Sequence, residues 1–215
     1  MATPISDLPE SGRVTDEEVA LPSWATEDDL RQVYDIKRLL PEVETRVTKI
    51  SPCSDQALPR GSFDAYAEHF NASAGELVAV FWRQFWPPEE GRPWFTVVHA
   101  VYETQEDYRN RGIATANYTC SLARYPEIGV RHVLIPAVGA GRTFWPRFGF
   151  GIASDKVEAF RDLVRTIYHD KVGQALTGAI PVKGPDMIQF SAPYCAELGK
   201  VALEREHSVV FERFL

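Results

Sequence analysis

Residues 103–115 read ETQEDYRNRGIAT, and the fold turns on how that stretch is read. Ahead of it, Trp94–Glu103 (WFTVVHAVYE) is β-branched and aromatic, the composition of a strand. Behind it, the chain reads as helix until Pro126. A strand therefore enters a turn holding Arg109, Arg111 and Gly112, and a helix starts at once. The first N–H groups of a helix have no intrahelical acceptor and lie at the positive end of its dipole. Gly112 lets a ligand or another backbone come close, and Ala114 adds almost no bulk. Such a turn can hold a phosphate or diphosphate on main-chain donors, with Arg109 or Arg111 adding charge. The Gly-Lys-Ser/Thr ending of a nucleotide P-loop is missing, and so is the dinucleotide pattern G-x-G-x-x-G. Taken alone, a basic turn with one glycine is also an ordinary turn.

The neighbouring segments give it context. Glu76–Phe85 (ELVAVFWRQF) reads as a strand paired antiparallel with Trp94–Glu103 across Pro87, Pro88 and Gly91. After the helix, Arg131–Val138 (RHVLIPAV) reads as a buried strand, and strand–turn–helix–strand is a βαβ unit with parallel neighbours. Upstream, Thr26 precedes Glu27, Asp28 and Asp29 as an N-cap. Leu30, Val33, Ile36 and Leu40 then follow at helical spacing until Pro41. Loop formers return between Ser51 and Arg60. The spacing of Phe63, Tyr66, Ala67 and Phe70 suggests a short helix. Downstream, a helix starts at Asp155 with Glu158 three residues on. Val157, Phe160, Val164 and Ile167 form its apolar stripe, which core packing accounts for. Ser208–Leu215 (SVVFERFL) reads as a closing strand. Residues 1–22 are rich in Pro, Ser, Glu and Asp and read as a flexible lead-in, with residues 23–215 as a single domain.

Composition narrows the function classes. The 215 residues are 45% apolar, 25% charged and 12% aromatic, which suits a soluble globular domain with its own core. The longest apolar runs are far shorter than the roughly 20 residues that span a bilayer. No basic patch and apolar run mark a secretory leader at the N-terminus. Three scattered cysteines, Cys53, Cys120 and Cys195, match no metal-ligand spacing and read as reduced thiols, so a cytoplasmic location and no metal are expected. The net charge of −7 argues against nucleic acid and anionic membranes as partners. It would attract a cationic substrate, although acidic charge also serves solubility alone.

The pattern R-x-x-G-x-A at Arg109, Gly112 and Ala114 resembles the acyl-CoA signature Q/R-x-x-G-x-G/A of the GNAT N-acetyltransferase superfamily. Residues 107–114 are similar to that family's passage from strand four to helix three. Phe144–Phe150 (FWPRFGF) resembles its aromatic helix ending in Gly-Phe, and Phe211–Leu215 resembles the closing strand of many members. The resemblance covers roughly residues 76–150. It implies an α/β (α+β) fold with a mixed sheet flanked by helices and splayed between its fourth and fifth strands. It also implies acetyl-CoA as cofactor: the pantetheine arm would pair with the backbone of Tyr102, Glu103 and Thr104. The pyrophosphate would rest on the turn formed by Arg109, Asn110, Arg111, Gly112, Ile113, Ala114 and Thr115. The expected reaction is direct attack of a primary amine, on a small molecule, peptide or protein, at the thioester carbonyl.

An alkylammonium with a pKa near 10 has no lone pair, so a base must take its proton. The candidates are His99, which titrates near neutrality when unperturbed, and Glu103, nearer the turn. Alternation gives both one parity on the strand unless a bulge intervenes. Each also has a plain structural reading, as a packed histidine and a solvated strand-end charge. Three departures from the family stand out. Trp145 occupies the position where many members carry the tyrosine that protonates the departing thiolate, and an indole N–H is no useful proton donor. Water would then serve, with Trp145 packing against the cofactor. The asparagine often found before that helix is missing from Val138-Gly139-Ala140-Gly141. An extra helix near residues 155–172 is available for a substrate pocket, a homodimer interface or plain packing. The second reading is a non-catalytic GNAT-like module for CoA binding or protein interaction.

Overall fold

The computed structural model describes residues 21–53, 55, 57–206 and 209–215, so nearly all of the lead-in segment expected over residues 1–22 lies outside the described residues. Among the described residues, seven strands, mostly antiparallel, and six helices make a mixed α+β fold. The chain divides into two compact units, one running to His132 and including Leu215, the other Val133–Phe214.

In the first unit the strands β1 (Val43–Pro52), β2 (Phe63–Asn71), β3 (Leu77–Trp86) and β4 (Phe95–Thr104) lie in that order, each antiparallel to the last. The β3–β4 pair expected from the sequence is therefore present. Residues 63–70 are not helical. Phe63, Ala65, Ala67 and His69 alternate inward along β2, and the strand is laddered on both sides, so pairing overrides the helical spacing of Phe63, Tyr66, Ala67 and Phe70. The strand β1 was not anticipated either; its alternation of Val43, Thr45 and Val47 is masked by charged residues on the other face.

Helix α1 (Glu27–Tyr34) starts where expected, with the Thr26 hydroxyl accepting from the Asp29 N–H at 3.1 Å. It stops at Tyr34, well before Pro41. Asp35 leaves the helix in an extended conformation and its carboxylate accepts from the Lys37 N–H at 2.9 Å. Ile36 is still fully buried, and Leu40 packs beside it through a tight turn. Helix α2 (Ile113–Arg124) follows the basic turn as predicted and runs into a 3-10 turn at Tyr125–Ile128. Both helices sit on the sheet face that carries Thr45, His69, Phe81 and Arg83: Tyr34 meets Phe81 edge-on at 4.9 Å and Asn117 reaches His69. Ile36, Val43, Val78, Ala79, Ile113 and Ala116 form the cluster beneath the start of α2.

The strand β5 (Val130–Ala137), which falls in the second unit from Val133 on, is followed in strand order by β7 (Val209–Phe214) and β6 (Gly151–Ile152), so both predicted strands form. Helix α3 (Gly141–Phe144) passes into a 3-10 turn, Trp145–Phe148, rather than continuing as one aromatic helix. Helix α4 (Val157–Val172) buries Phe160, Val164 and Ile167 as expected. It is preceded by a 3-10 turn at Ser154–Lys156 and has no side-chain cap, so the Asp155–Glu158 capping pair does not form. Helices α5 (Gly184–Gln189) and α6 (Leu198–Arg205) escaped the sequence reading. They cross so closely that a Cβ on Gly199 would lie 1.8 Å from the Met187 carbonyl oxygen.

Candidate acyl-donor site in the first unit

The turn expected between strand and helix lies beside a surface concavity. Thr104, Tyr108, Asn110, Gly112, Ile113, Ala114 and Thr115 line a shallow concavity of about 110 Å³ open to solvent. Asn110 and Gly112 both take left-handed backbone conformations, φ 63° and 80°, and together they swing the chain into α2. Gly112 is the N-cap residue, and a Cβ built on it meets nothing within 4 Å. The first amide to find an intrahelical acceptor there is Ala116, which donates to the Gly112 carbonyl at 2.8 Å. The amides of Ile113, Ala114 and Thr115 precede it and form the electropositive end of α2. Room, donors and a glycine doorstep fit an anionic diphosphate.

Local bonds fix this turn. The Gln105 N–H donates to the Val78 carbonyl at 2.9 Å, and a 3-10 turn spans Glu106–Tyr108. Arg109 is exposed, and its Nε donates to the Thr104 carbonyl at 3.2 Å. Arg111 lays its guanidinium over the Tyr108 ring at 5.0 Å. The Tyr108 hydroxyl donates to Glu76 at 2.7 Å and accepts from Asn71 at 3.4 Å. Tyr108, Glu76 and Asn71 were not singled out from the sequence. Their roles depend on pairing residues more than thirty positions apart, which no local pattern announces.

The two candidate bases part company at a β-bulge. Trp82 pairs with Val101 and Arg83 with His99, leaving Ala100 as the extra residue on β4. Tyr102 consequently shares the face of Phe81, and the two rings stack at 6.0 Å. Glu103, opposite Val80, lies on the other face and is half-buried. His99 is in the core: its Nε2 pairs with the Tyr125 hydroxyl at 2.8 Å and its ring meets Tyr118 edge-on. Burial, aided by the charge of Arg83, holds its pKa well below the ordinary histidine value.

A second buried histidine joins the sheet to α2. The ring of His69 lies between Thr45 Oγ1 at 3.0 Å and Asn117 Nδ2 at 2.9 Å. The amide of Asn117 must donate to His69 Nε2 if its oxygen accepts from Arg83 at 3.5 Å. His69 Nδ1 then donates to Thr45, which donates to the Tyr34 carbonyl at 3.3 Å. That direction requires a neutral ring, and burial lowers its pKa to about 3.

Trp145, in the second unit, is 8% exposed and packs among its own neighbours, with Phe144 at 4.8 Å, Phe150 at 6.2 Å and Phe148 at 6.4 Å. A Cβ on Gly141 would come within 3.2 Å of its indole nitrogen, so the indole fits against a residue that carries no side chain.

No family model matches the sequence, and no curated protein matches it. Among solved structures, the chain is similar to a GNAT family acetyltransferase from Elizabethkingia anophelis with acetyl-CoA bound, at 8% identity and a TM-score of 0.41 over 81% of this chain and 99% of that one. A GCN5-related N-acetyltransferase from Kribbella flavida gives 12% identity and a TM-score of 0.39 over 82% and 99%. Arabidopsis thaliana Naa50 in complex with the bisubstrate analogue CoA-Ac-MVNAL gives 12% identity and 0.37 over 71% and 72%. The solved structures that resemble this chain thus include several GNAT acetyltransferases.

Proposed function

We propose that the chain is an N-acetyltransferase, which moves an acetyl group from acetyl-CoA to a primary amine of a small molecule, peptide or protein while both are bound. The observation that carries the reading is the solvent-open concavity at the head of α2, with Gly112 at its lip and the amides of residues 113–115 at its base. When bound, acetyl-CoA supplies the thioester carbonyl as electrophile. Arg109–Thr115 hold the diphosphate and Tyr102–Thr104 align the pantetheine arm. Holding donor and acceptor together turns a bimolecular encounter into an oriented one.

Glu103 takes the amine proton, directly or through a water, because its half-exposed carboxylate can meet solvent and substrate. His99 is the other candidate, and it would act from its buried pair with Tyr125. The departing thiolate is protonated by water, since Trp145 has no acidic proton to give. The site requires neither metal nor nucleic acid, and the protein works in the cytoplasm, alone or as a homodimer. Among the described residues no helix is long and apolar enough to cross a membrane.

Titration calorimetry with acetyl-CoA, followed by thiol release across a panel of amines, tests the reading. Saturable binding with turnover that falls steeply in Glu103→Gln is expected. Binding without thiol release for any amine would favour the non-catalytic CoA-binding module, and absence of binding would end both.

A further inference from the structure

We propose that Arg83 is a positioning residue: its guanidinium latches the β4 bulge and so sets the aim of the strand edge that leads into the donor cavity. The proposal rests on the acetyltransferase reading of that cavity. Arg83 lies in β3 and is fully buried, the largest side chain in the molecule to be so among the described residues. Its Nη1 donates to the Val101 carbonyl at 2.7 Å and to the Trp82 carbonyl at 3.1 Å. Nη2 reaches Asn117 Oδ1 at 3.5 Å, and the guanidinium carbon lies 5.1 Å from the Phe81 ring and 5.8 Å from the Tyr102 ring. These partners, with the Tyr125 hydroxyl beside them, are neutral oxygens and aromatic faces among the described residues.

A buried cation held by neutral groups alone is a costly way to fill space, and a methionine of similar length would fill it without the desolvation. What methionine lacks is a fork of donors. Val101 is the residue immediately after the extra Ala100, where the bulge breaks the regular exchange of ladder bonds. The side chain of Arg83 places a donor on the Val101 carbonyl at this break in the register. Removing the bulge would return Glu103 to the face of His99 and turn Tyr102 away from Phe81. Arg83 thereby decides which face Glu103 presents and how residues 102–104 run into the turn that Arg109 ties back at Thr104. Displacements of the order of 1 Å at such a strand can cost about a hundredfold in rate.

The test compares Arg83→Met, Arg83→Lys and, as a control, Phe85→Leu, a fully buried β3 residue outside the network. Amide hydrogen exchange is read across residues 100–105, alongside acetyl-CoA affinity. In Arg83→Met, exchange over 100–105 should rise about tenfold beyond any rise elsewhere in the first unit, with acetyl-CoA binding weakened about tenfold. Arg83→Lys, with a single-point donor, should show about a threefold rise, and Phe85→Leu should lower stability without singling out that segment. Parent-like exchange over 100–105 in Arg83→Met, or an equal rise in Phe85→Leu, overturns the latch. If Arg83→Met does not fold, parent-like exchange in Arg83→Lys overturns it instead. A parent protein that binds no acetyl-CoA refutes the acetyltransferase reading, while the exchange pattern still decides whether Arg83 holds the bulge.

Discussion

Gly112 separates the stability of the turn from its capacity for an anion. Any side chain there must adopt φ near 80°, which costs an L-residue about 1–2 kcal/mol. The space itself is open, so a Cβ brings no clash. Gly112→Ala should therefore lose about that much stability through backbone strain alone, and keep most of its affinity for CoA. Gly112→Glu carries the same strain, but its carboxylate sits at the positive end of α2 and regains about 0.3–1 kcal/mol. The same carboxylate opposes a bound diphosphate. A pair of like unit charges about 5 Å apart costs about 0.8 kcal/mol in bulk water and about 3 kcal/mol at the effective dielectric of a protein surface. Gly112 is exposed, so the lower end applies, and two phosphate charges give about 1–2 kcal/mol, or about 5- to 30-fold in Kd. The glutamate variant should thus be more stable than the alanine variant and bind CoA more weakly. Thermal denaturation and calorimetry on the three proteins measure the two orderings. Equal CoA affinity in Gly112→Glu and Gly112→Ala would refute the diphosphate cradle.

Tyr108→Phe removes the bonds to Glu76 and Asn71 and should weaken CoA binding a few-fold by loosening the turn, with little effect on overall stability; unchanged affinity would show the hydroxyl to be incidental. His69 and His99 are buried neutral, so the unfolded chain binds protons that the folded one does not. Stability should be complete above about pH 6.5 and fall as pH drops toward about 3, by up to about 1.4 kcal/mol per pH unit for each histidine. Urea denaturation between pH 7.5 and 5 measures the slope, and His69→Gln should reduce it; an equal slope in that variant would contradict the assignment. Gly199→Ala drives a Cβ into the Met187 carbonyl and should cost about 3 kcal/mol or more, read as a lower Tm. A parent-like Tm would show that α5 and α6 are free to move apart.

The parts of the molecule that were legible in the sequence are those written by neighbours along the chain. The basic turn and its flanks occupy a dozen or so consecutive residues, and its strand, glycine and helix each carry a local signature, so the strand–turn–helix is legible from neighbours along the chain. Residues 63–70 carry two periods at once, and only the flanking strands β1 and β3 choose between them. The strand β1 hides because the charged Glu44, Arg46 and Lys49 interrupt its apolar alternation from the opposite face. Helix α1 looked longer because Ile36 and Leu40 keep helical spacing after the backbone has already turned at Asp35. The bulge at Ala100 and the bond from Arg83 to Val101 leave no trace in composition or spacing, yet they determine where Glu103 lies.

On a chain of net charge −7, the turn sets Arg109 and Arg111 beside the exposed Glu106 and Asp107, so its attraction for an anion rests on these two arginines and the head of α2 at short range. If the proposed cofactor binds here, its polyanionic diphosphate is repelled by the net charge of the whole protein and attracted only within about 8 Å, the screening length at physiological ionic strength. Added salt therefore quiets the repulsion before it weakens the grip. On that proposal capture should become faster and the bound state shorter-lived as salt rises, so ionic strength would trade residence time for encounter rate at this one turn.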